Sequence, residues 1–467
     1  MFKKNKLIED LISLNIKPIL VGGMVRDYFI NNTIESKDID IEIYTNKKYE
    51  EILDLLTHKN YRCDIVGKNF GVIKTRDENN NEIDISLPRI EKLVGTKHTD
   101  FEIISNGELS FKEAFKRRDF TFNAIGYDFM ENKIIDLYNG VNDIKNKTIK
   151  HVSAKTFIED PLRIYRAIQF AARFGFDIHP RTKLLIKDMV SKGMLDEIPK
   201  ERVFIEFEKL LTKSEKPSIG FELMREFNIL EKYFPEINDL IGIPQDEKWH
   251  PEGDVWIHTM MVIDEMAKLE VDKDKKLLYL LSCLCHDLGK PSTTITLEDG
   301  KITSRGHEEA GIGPSISFLN RLTNNKKLIE QVCKLVELHL APSLFFVAKS
   351  SNSAIKRLNN KLVEVELSIL DLALINKADT FGRTTIEALN KEAPQYEWIV
   401  NKFNDLKLSN KKIEPLIKGK DLIDLGYKPN KDFKDILNNC YDYQIDNNIE
   451  NKEDVLNYFL TQNFNSL

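Results

Sequence analysis

Apolar and polar positions alternate in short runs through the first third of the chain. Lys17 to Val21, Asp38 to Tyr44, Gly71 to Thr75 and Glu82 to Leu87 are β-rich runs that predict strands, with helical patterns between them. This mixture predicts an α/β head over residues 1–150. From Thr156 onward the period lengthens. Leu162, Ile164, Tyr165, Ile168, Phe170 and Phe174 recur at helical spacing, and the next strand signal is Ile295 to Thr303. Phe234-Pro235 and the stretch Pro244 to Pro251 interrupt the helices and predict a further module. The expected division is a mixed head at 1–150, a helical neck at 151–240, a second helical module at 241–395 and a helical tail at 396–467, the last marked by turns at Gly419, Gly426 and Pro429. The fold class expected of the whole is α+β.

Composition bounds this picture. A chain of 467 residues is too long for one core, and 42% hydrophobic beside 30% charged residues is ordinary for globular domains. The net charge of -6 argues against a uniformly basic coat, while leaving room for local Lys/Arg clusters on a phosphate backbone. Charged residues interrupt the apolar ones at the start, and no run of about 18 apolar residues occurs. The expectation is a cytoplasmic protein without an export signal and with no membrane partner. Five cysteines, Cys63, Cys283, Cys285, Cys333 and Cys440, lack paired metal-ligand spacing and predict reduced thiols, with Cys283 and Cys285 in the core.

Chemistry enters first at V-G-G-M-V-R-D, residues Val21 to Asp27, a strand running into a glycine turn and a helix. Backbone N–H groups and the helix dipole there favour a phosphate, although Gly22 and Gly23 also read as a plain tight turn. In Lys37-Asp38-Ile39-Asp40 the period of two points both carboxylates to one strand face, where they can share a divalent cation; an acidic strand face extended by Glu42 is the bland alternative. Asp84, in the run Glu82-Ile83-Asp84-Ile85, is a candidate third carboxylate on a neighbouring strand. Arg117, Arg118 and Asp119 precede Phe120-Thr121-Phe122-Asn123, a cluster able to grip a triphosphate and ribose, or simply a basic helix end. Asp160 and Arg163, one turn apart at a helix start with Arg166 following, offer an acceptor and a donor fork to a nucleobase edge.

Later in the chain, His258 stands in V-W-I-H-T, His286-Asp287 in C-L-C-H-D-L-G-K, and His307 in R-G-H-E-E-A-G. His339 follows in V-E-L-H-L and Asp379 in N-K-A-D-T. Imidazoles and carboxylates on separate helices form the ligand set of a metal site, whereas each histidine alone reads as an ordinary core or surface residue.

In order, G-G-x-V-R-D, D-x-D, R-R-D-F-T-x-N-A, E-D-P-L-R-x-x-R and I-P-x-E-R-x-x-x-E closely resemble the bacterial CCA-adding tRNA nucleotidyltransferase and poly(A) polymerase family. The resemblance spans roughly the first half of the chain. It implies a polymerase-β-like nucleotidyltransferase palm followed by an all-helical neck, with Asp38 and Asp40 holding Mg2+. It also implies Gly23 and Arg26 near the nucleotide phosphates, with Gly22, Arg118 and Asp119 in the same nucleotide-binding set. Asp160 and Arg163 would read CTP and ATP, Arg166 would help hold the nucleotide, and Glu201, Arg202 and Glu206 would fall in the neck motif. One departure is Arg166-Ala167-Ile168-Gln169-Phe170, where family members often carry R-A-x-R-F; Gln169 supplies no positive charge.

The pattern H…HD…D with L-G-K after the HD pair resembles the HD-domain metal-dependent phosphohydrolases. That likeness implies His258, His286, Asp287 and Asp379 on a divalent transition metal. His307 and His339 would serve a second metal or the substrate phosphate, and Lys290 would stabilise negative charge. The order of modules, including Lys248-Trp249-His250-Pro251, is similar to CCA-adding enzymes carrying an HD domain that hydrolyses phosphomonoesters and 2′,3′-cyclic phosphates. The expectation is therefore template-independent addition of CCA, from CTP and ATP, to the 3′ end of tRNA. Poly(A), A-only or CC-only addition shares the chemistry. An HD phosphohydrolase with a non-catalytic RNA-binding first half is the alternative of another class.

Overall fold

The computed structural model describes residues 2–32, 38–66, 72–93, 101–428 and 433–464. The chain forms two compact units, Met1–Ser214 with Ile219–Ile229, and Glu215–Ser218 with Leu230–Leu467.

In the first unit the strands include β1 (Lys17–Val21), β2 (Asp38–Tyr44), β3 (Asp64–Val66), β4 (Val72–Arg76), β5 (Glu82–Ser86), β6 (Arg89–Leu93), β7 (Phe101–Ser105), β8 (Ile125–Asp128) and β9 (Lys133–Asp136), besides a short parallel pair, Thr148–Ile149 with Asp177–Ile178. Seven of them make one mixed sheet in the order β3-β4-β5-β2-β1-β8-β9, and β6 and β7 form a separate antiparallel pair. Gly71, where the fourth strand was expected to begin, lies outside the described residues. The β2–β5 pairing is parallel, whereas β1 runs antiparallel to both β2 and β8. The register sets Val21 opposite Asp40, and Asp40 opposite Asp84. Ile19 and Val21 of β1 pack with Ala114, Phe115, Ala124 and Ile135 in one core cluster, which fixes the end of β1 and hence the glycine turn after it.

The helical spacing after Thr156 appears as the helix Leu162–Phe174, which buries Ile164, Tyr165, Ile168 and Phe170. Phe170 and Phe174 continue an aromatic layer, with Phe122 5.3 Å from Phe170 and Phe120 5.4 Å from Phe122 between ring centres.

Among its described residues the second unit is helical apart from a small hairpin, Ile295–Thr296 with Ile302–Thr303. Its long helices Val255–Lys268, Lys276–Cys285, Lys326–Leu338 and Ile369–Phe381 are apolar on their inner faces, and buried Ile263, Leu281, Leu335 and Leu372 come from all four. The tail helices close a satellite core of Ile417, Leu422, Cys440, Val455 and Phe459. By length and composition, with mean hydropathy 1.3, the segment Lys326–Ala348 is apolar enough to cross a membrane. Here it carries buried His339 at its middle and packs Val332, Leu335 and Val336 inside the unit. All five cysteines are free thiols, and Cys283 and Cys285 are buried.

Candidate functional sites

Two groups of candidate residues are assembled, one in each unit. In the first, the turn after β1 meets the carboxylate of β2. Gly22 has φ +76°, and an added Cβ there would stand 2.7 Å from Asp40 Oδ2, so the turn approaches the carboxylate only because this residue lacks a side chain. Asp40 itself is exposed. Asp38 begins β2, but its side chain lies outside the described residues.

The helix Gly23–Asn31 continues from that turn and carries Arg26, 7% exposed. Arg26 Nη1 donates to Asn123 Oδ1 at 3.0 Å and Nε to Asp27 Oδ1 at 2.7 Å, while the guanidinium lies 5.3 and 5.1 Å from the ring centres of Phe170 and Phe174. Arg118 reaches Glu42 Oε2 at 3.3 Å and donates to the Asn123 carbonyl at 3.3 Å. Both oxygens of Asp119 are engaged: Oδ1 by the Phe120 amide at 2.8 Å and Asn123 Nδ2 at 2.9 Å, Oδ2 by Arg166 Nε at 2.8 Å and Nη2 at 2.6 Å. Burial pushes the Asp119 carboxyl up, but Arg166 and Asn123 outweigh it and hold the group below the usual carboxylate range. Its position makes Asp119 the brace of Arg166. Arg163 is braced too, donating to the carbonyls of Thr156 at 2.9 Å and Arg117 at 2.7 Å, and Asp160 accepts from Arg202 at 3.3 Å.

These groups converge. Gly22, Gly23, Arg26, Asp40, Arg118, Asp119, Asp160, Arg163 and Arg166 line one cavity of about 380 Å³, together with Arg89, Arg117 and Asn123. Six arginines face three aspartates there, a basic wall around one exposed carboxylate, which suits a polyphosphate. Asp84, although in register with Asp40, lines a neighbouring cavity of about 550 Å³ with Arg62, Lys74 and Arg76, and lies 3.3 Å from Lys74 Nζ. Gln169 does not reach the basic wall. It is 1% exposed, and its Nε2 has no hydrogen-bond partner.

In the second unit His258, His286, Asp287, His307, His339 and Asp379 are all buried to 7% exposure or less. His286 follows the last turn of Lys276–Cys285, His339 follows that of Lys326–Leu338, and His258 and Asp379 lie within the helices Val255–Lys268 and Ile369–Phe381. His307 comes close because Gly289, of L-G-K, passes under its carbonyl, where an added Cβ would stand 2.0 Å from the oxygen. His258 Nε2 is 3.0 Å from Asp379 Oδ1, His286 Nε2 is 3.2 Å from Asp287 Oδ2, and His307 Nε2 is 3.3 Å from Asp287 Oδ1.

The tautomers are set from behind. Nδ1 of His286, His307 and His339 donates to the carbonyl of Cys283, Ser304 and Val336 respectively, each at 2.7 Å. Their Nε2 atoms in the neutral rings then carry lone pairs, yet His307 Nε2 and His339 Nε2 face each other at 3.2 Å. Two facing acceptors repel unless a proton or a cation lies between them. Asp287 has no well-aligned hydrogen bond at either oxygen, although Lys290 Nζ comes within 2.7 Å of Oδ2. Facing nitrogens and an incompletely satisfied buried carboxylate fit a divalent metal, and two triads, His258-His286-Asp287 and Asp287-His307-His339, offer donor atoms within 4.8 Å of one another. Burial opposes ionisation of Asp287 and Asp379, but His286 and Lys290 beside the first, and Arg383 and His258 beside the second, hold both well below the usual range.

Sequence reasoning did not single out Glu252 or Arg383. Glu252 Oε1 accepts from His250 Nδ1 at 2.9 Å and His258 Nδ1 at 2.8 Å, fixing the orientation of His258, and Arg383 lies 3.0 Å from Asp379 Oδ2. Glu252 lies six residues before His258, close enough to have been flagged. Arg383 is signalled only by its position one helical turn beyond Asp379.

Comparison with known proteins agrees with this layout. The poly A polymerase head domain matches residues 19–150, a probable RNA and SrmB-binding site of polymerase A matches 175–241, and the HD domain matches 255–373. A multifunctional CCA protein of Mannheimia succiniciproducens is 35% identical over 380 residues, covering 79% of this chain and 84% of the relative. That of Psychromonas ingrahamii is 32% identical, covering 85% and 92%. Among solved structures, the Bacillus stearothermophilus CCA-adding enzyme in complex with CTP superposes with TM-score 0.68 at 20% identity, covering 98% of this chain and 96% of its own. The Thermotoga maritima CCA-adding enzyme complexed with tRNA gives 0.58 at 20% identity, covering 98% and 93%. At that identity both show the fold alone, the polymerase-β-like head with helical regions. The identity and coverage of the curated relatives carry the further conclusion that this chain belongs to the multifunctional CCA protein family.

Proposed function

We propose that the first unit adds CCA to the 3′ end of tRNA from CTP and ATP without a template, and that the second hydrolyses phosphomonoesters or 2′,3′-cyclic phosphates. The observation that carries the first half is the basic cavity closing on Asp40 at the glycine turn. In the reaction the RNA 3′ oxygen bonds to the α-phosphorus, the bond from that phosphorus to the β-phosphate bridge breaks, and pyrophosphate leaves as the hydroxyl loses its proton. Asp38 and Asp40 would hold Mg2+, which supplies charge neutralisation and hydroxyl activation. The protein's own part is to grip the triphosphate with Arg26, Arg118 and Arg166 and to present Asp160 and the braced Arg163 to the base.

In the second unit His258, His286, Asp287 and Asp379, with His307 and His339, would hold a divalent metal that supplies an activated water. Lys290 and Arg383 balance phosphate charge beside it. Five free thiols suit the reducing cytosol, where we place the protein.

The test is incubation of the purified protein with Mg2+, labelled CTP or ATP, and tRNA ending before, within or after CCA. The expected result is completion of CCA and arrest there. No incorporation into any tRNA would sink the transferase reading, and unlimited A addition to unrelated RNA would replace it with poly(A) synthesis.

A further inference from the structure

Trp249 stands with 53% of its surface exposed, in a unit whose other large rings are mostly inside. It is held firmly. The amides of Trp249 and His250 both donate to the Asp246 carbonyl, at 3.0 and 2.9 Å, and His250 and His258 share Glu252 Oε1 at 2.9 and 2.8 Å. An exposed indole therefore sits one residue from the relay that orients a metal-ligand candidate. Lys248 Nζ lies 4.7 Å over the ring and covers one face.

The indole lines a cavity of about 580 Å³, within the size range of small-molecule sites. Leu344, 57% exposed, adds a second apolar surface to the same cavity. Lys290, Arg305 and Arg383 supply positive charge, and His307 joins the cavity to the histidine cluster. A flat apolar surface beside a cationic pocket is complementary to a ligand with a ring system near an anion. A nucleotide is such a ligand, whereas glycerol phosphate has no ring to place against the indole.

We propose that Trp249 is a specificity-determining residue of the histidine site, stacking on the nucleobase of a nucleotide whose phosphate is drawn in by Lys290, Arg305 and Arg383. This rests on the phosphohydrolase reading of that site. Stacking on an aromatic ring is tolerant of base identity, so the residue separates nucleotides from other phosphomonoesters and not one base from another.

The test compares two monoesters of secondary alcohols, adenosine 2′-phosphate and glycerol 2-phosphate, using full-length protein loaded in turn with Mn2+, Co2+ and Ni2+. In Trp249→Ala, KM for adenosine 2′-phosphate rises about tenfold with kcat within about twofold, while glycerol 2-phosphate kinetics stay as in the parent. Trp249→Phe, which keeps a stacking ring, restores most of the KM. Equal changes for both substrates, or no change for either, would overturn the assignment. A parent protein that hydrolyses neither ester with any metal removes the phosphohydrolase reading itself, and the Trp249 proposal with it.

Discussion

Around Asp40 the lining is mixed, with the Asp160 side chain 35% exposed and Asp40 itself open although Arg26 and Asp119 are buried to 8% or less, whereas around Asp287 every candidate ligand is buried to 7% or less. The first arrangement relies on arginines, each already tied to a carboxylate, a carbonyl or a ring before any substrate arrives. The second relies on imidazoles, each aimed by a carbonyl or carboxylate at its back. A cavity that admits a triphosphate and an RNA end must stay wet, so its cations are screened and have to be numerous and pre-oriented. An enclosed site needs few charges, because each acts at low dielectric, but any ligand left unpaired there is costly.

This contrast can be broken by substitution. Asp40→Ala should reduce nucleotide addition by on the order of 10³-fold or more while leaving phosphohydrolysis intact. Asp287→Ala should do the reverse; measuring both activities on both variants decides it, and joint loss from either change would contradict two independent sites. Next in size is Asp119→Asn, which leaves Arg166 short of its buried partner and should cost about 3 kcal/mol of stability, read from denaturant unfolding. An unchanged midpoint would mean that Arg166 is braced otherwise. Glu252→Gln should weaken metal binding at the histidine site about 10- to 100-fold by calorimetry, with nucleotide addition unaffected. The smallest effect is on the metal-free protein. Burial and the neighbouring His286 and His307 push His339 down to about 3, and burial pushes His250 down to about 4. Unfolded imidazoles titrate near 6.5, so the unfolded chain binds more protons below that value. The stability contributed by these two rings is full above about pH 6.5 and drains away toward pH 3, as thermal melting of the chelated protein should record.

The strands carrying Asp40 and Asp84 were legible because β-branched residues alternate cleanly there. β8 and β9 were not. Each has four residues, and Gly126 inside β8 reads locally as a turn. The return of Ile219–Ile229 to the first unit was not legible, since nothing in its helical pattern announces it. At the sites, residue types were readable but their engagements were not. Asp84 was offered as a third carboxylate on a neighbouring strand, and β5 does set it opposite Asp40; what the sequence did not show is Lys74, 3.3 Å from its carboxylate. Asp119 looked like a phosphate-cluster neighbour because its contacts with Arg166 and Asn123 depend on packing across the aromatic layer. Gln169, the departure from the family pattern, proves to be enclosed, so its lost charge is a matter of what it packs against.

The hydrogen bond from His258 Nδ1 to Glu252 leaves Nε2 facing Asp379. Burial disfavours a charged ring there, but Asp379 and Glu252 together raise its pKa, so without metal the ring holds its second proton to a higher pH than a free imidazole does. Metal can take the Nε2 position only by expelling that proton. Loading the site is thus also an acid release, and its apparent affinity should climb with pH. Titrating metal into the protein in buffers of different ionisation enthalpy would count the protons that leave.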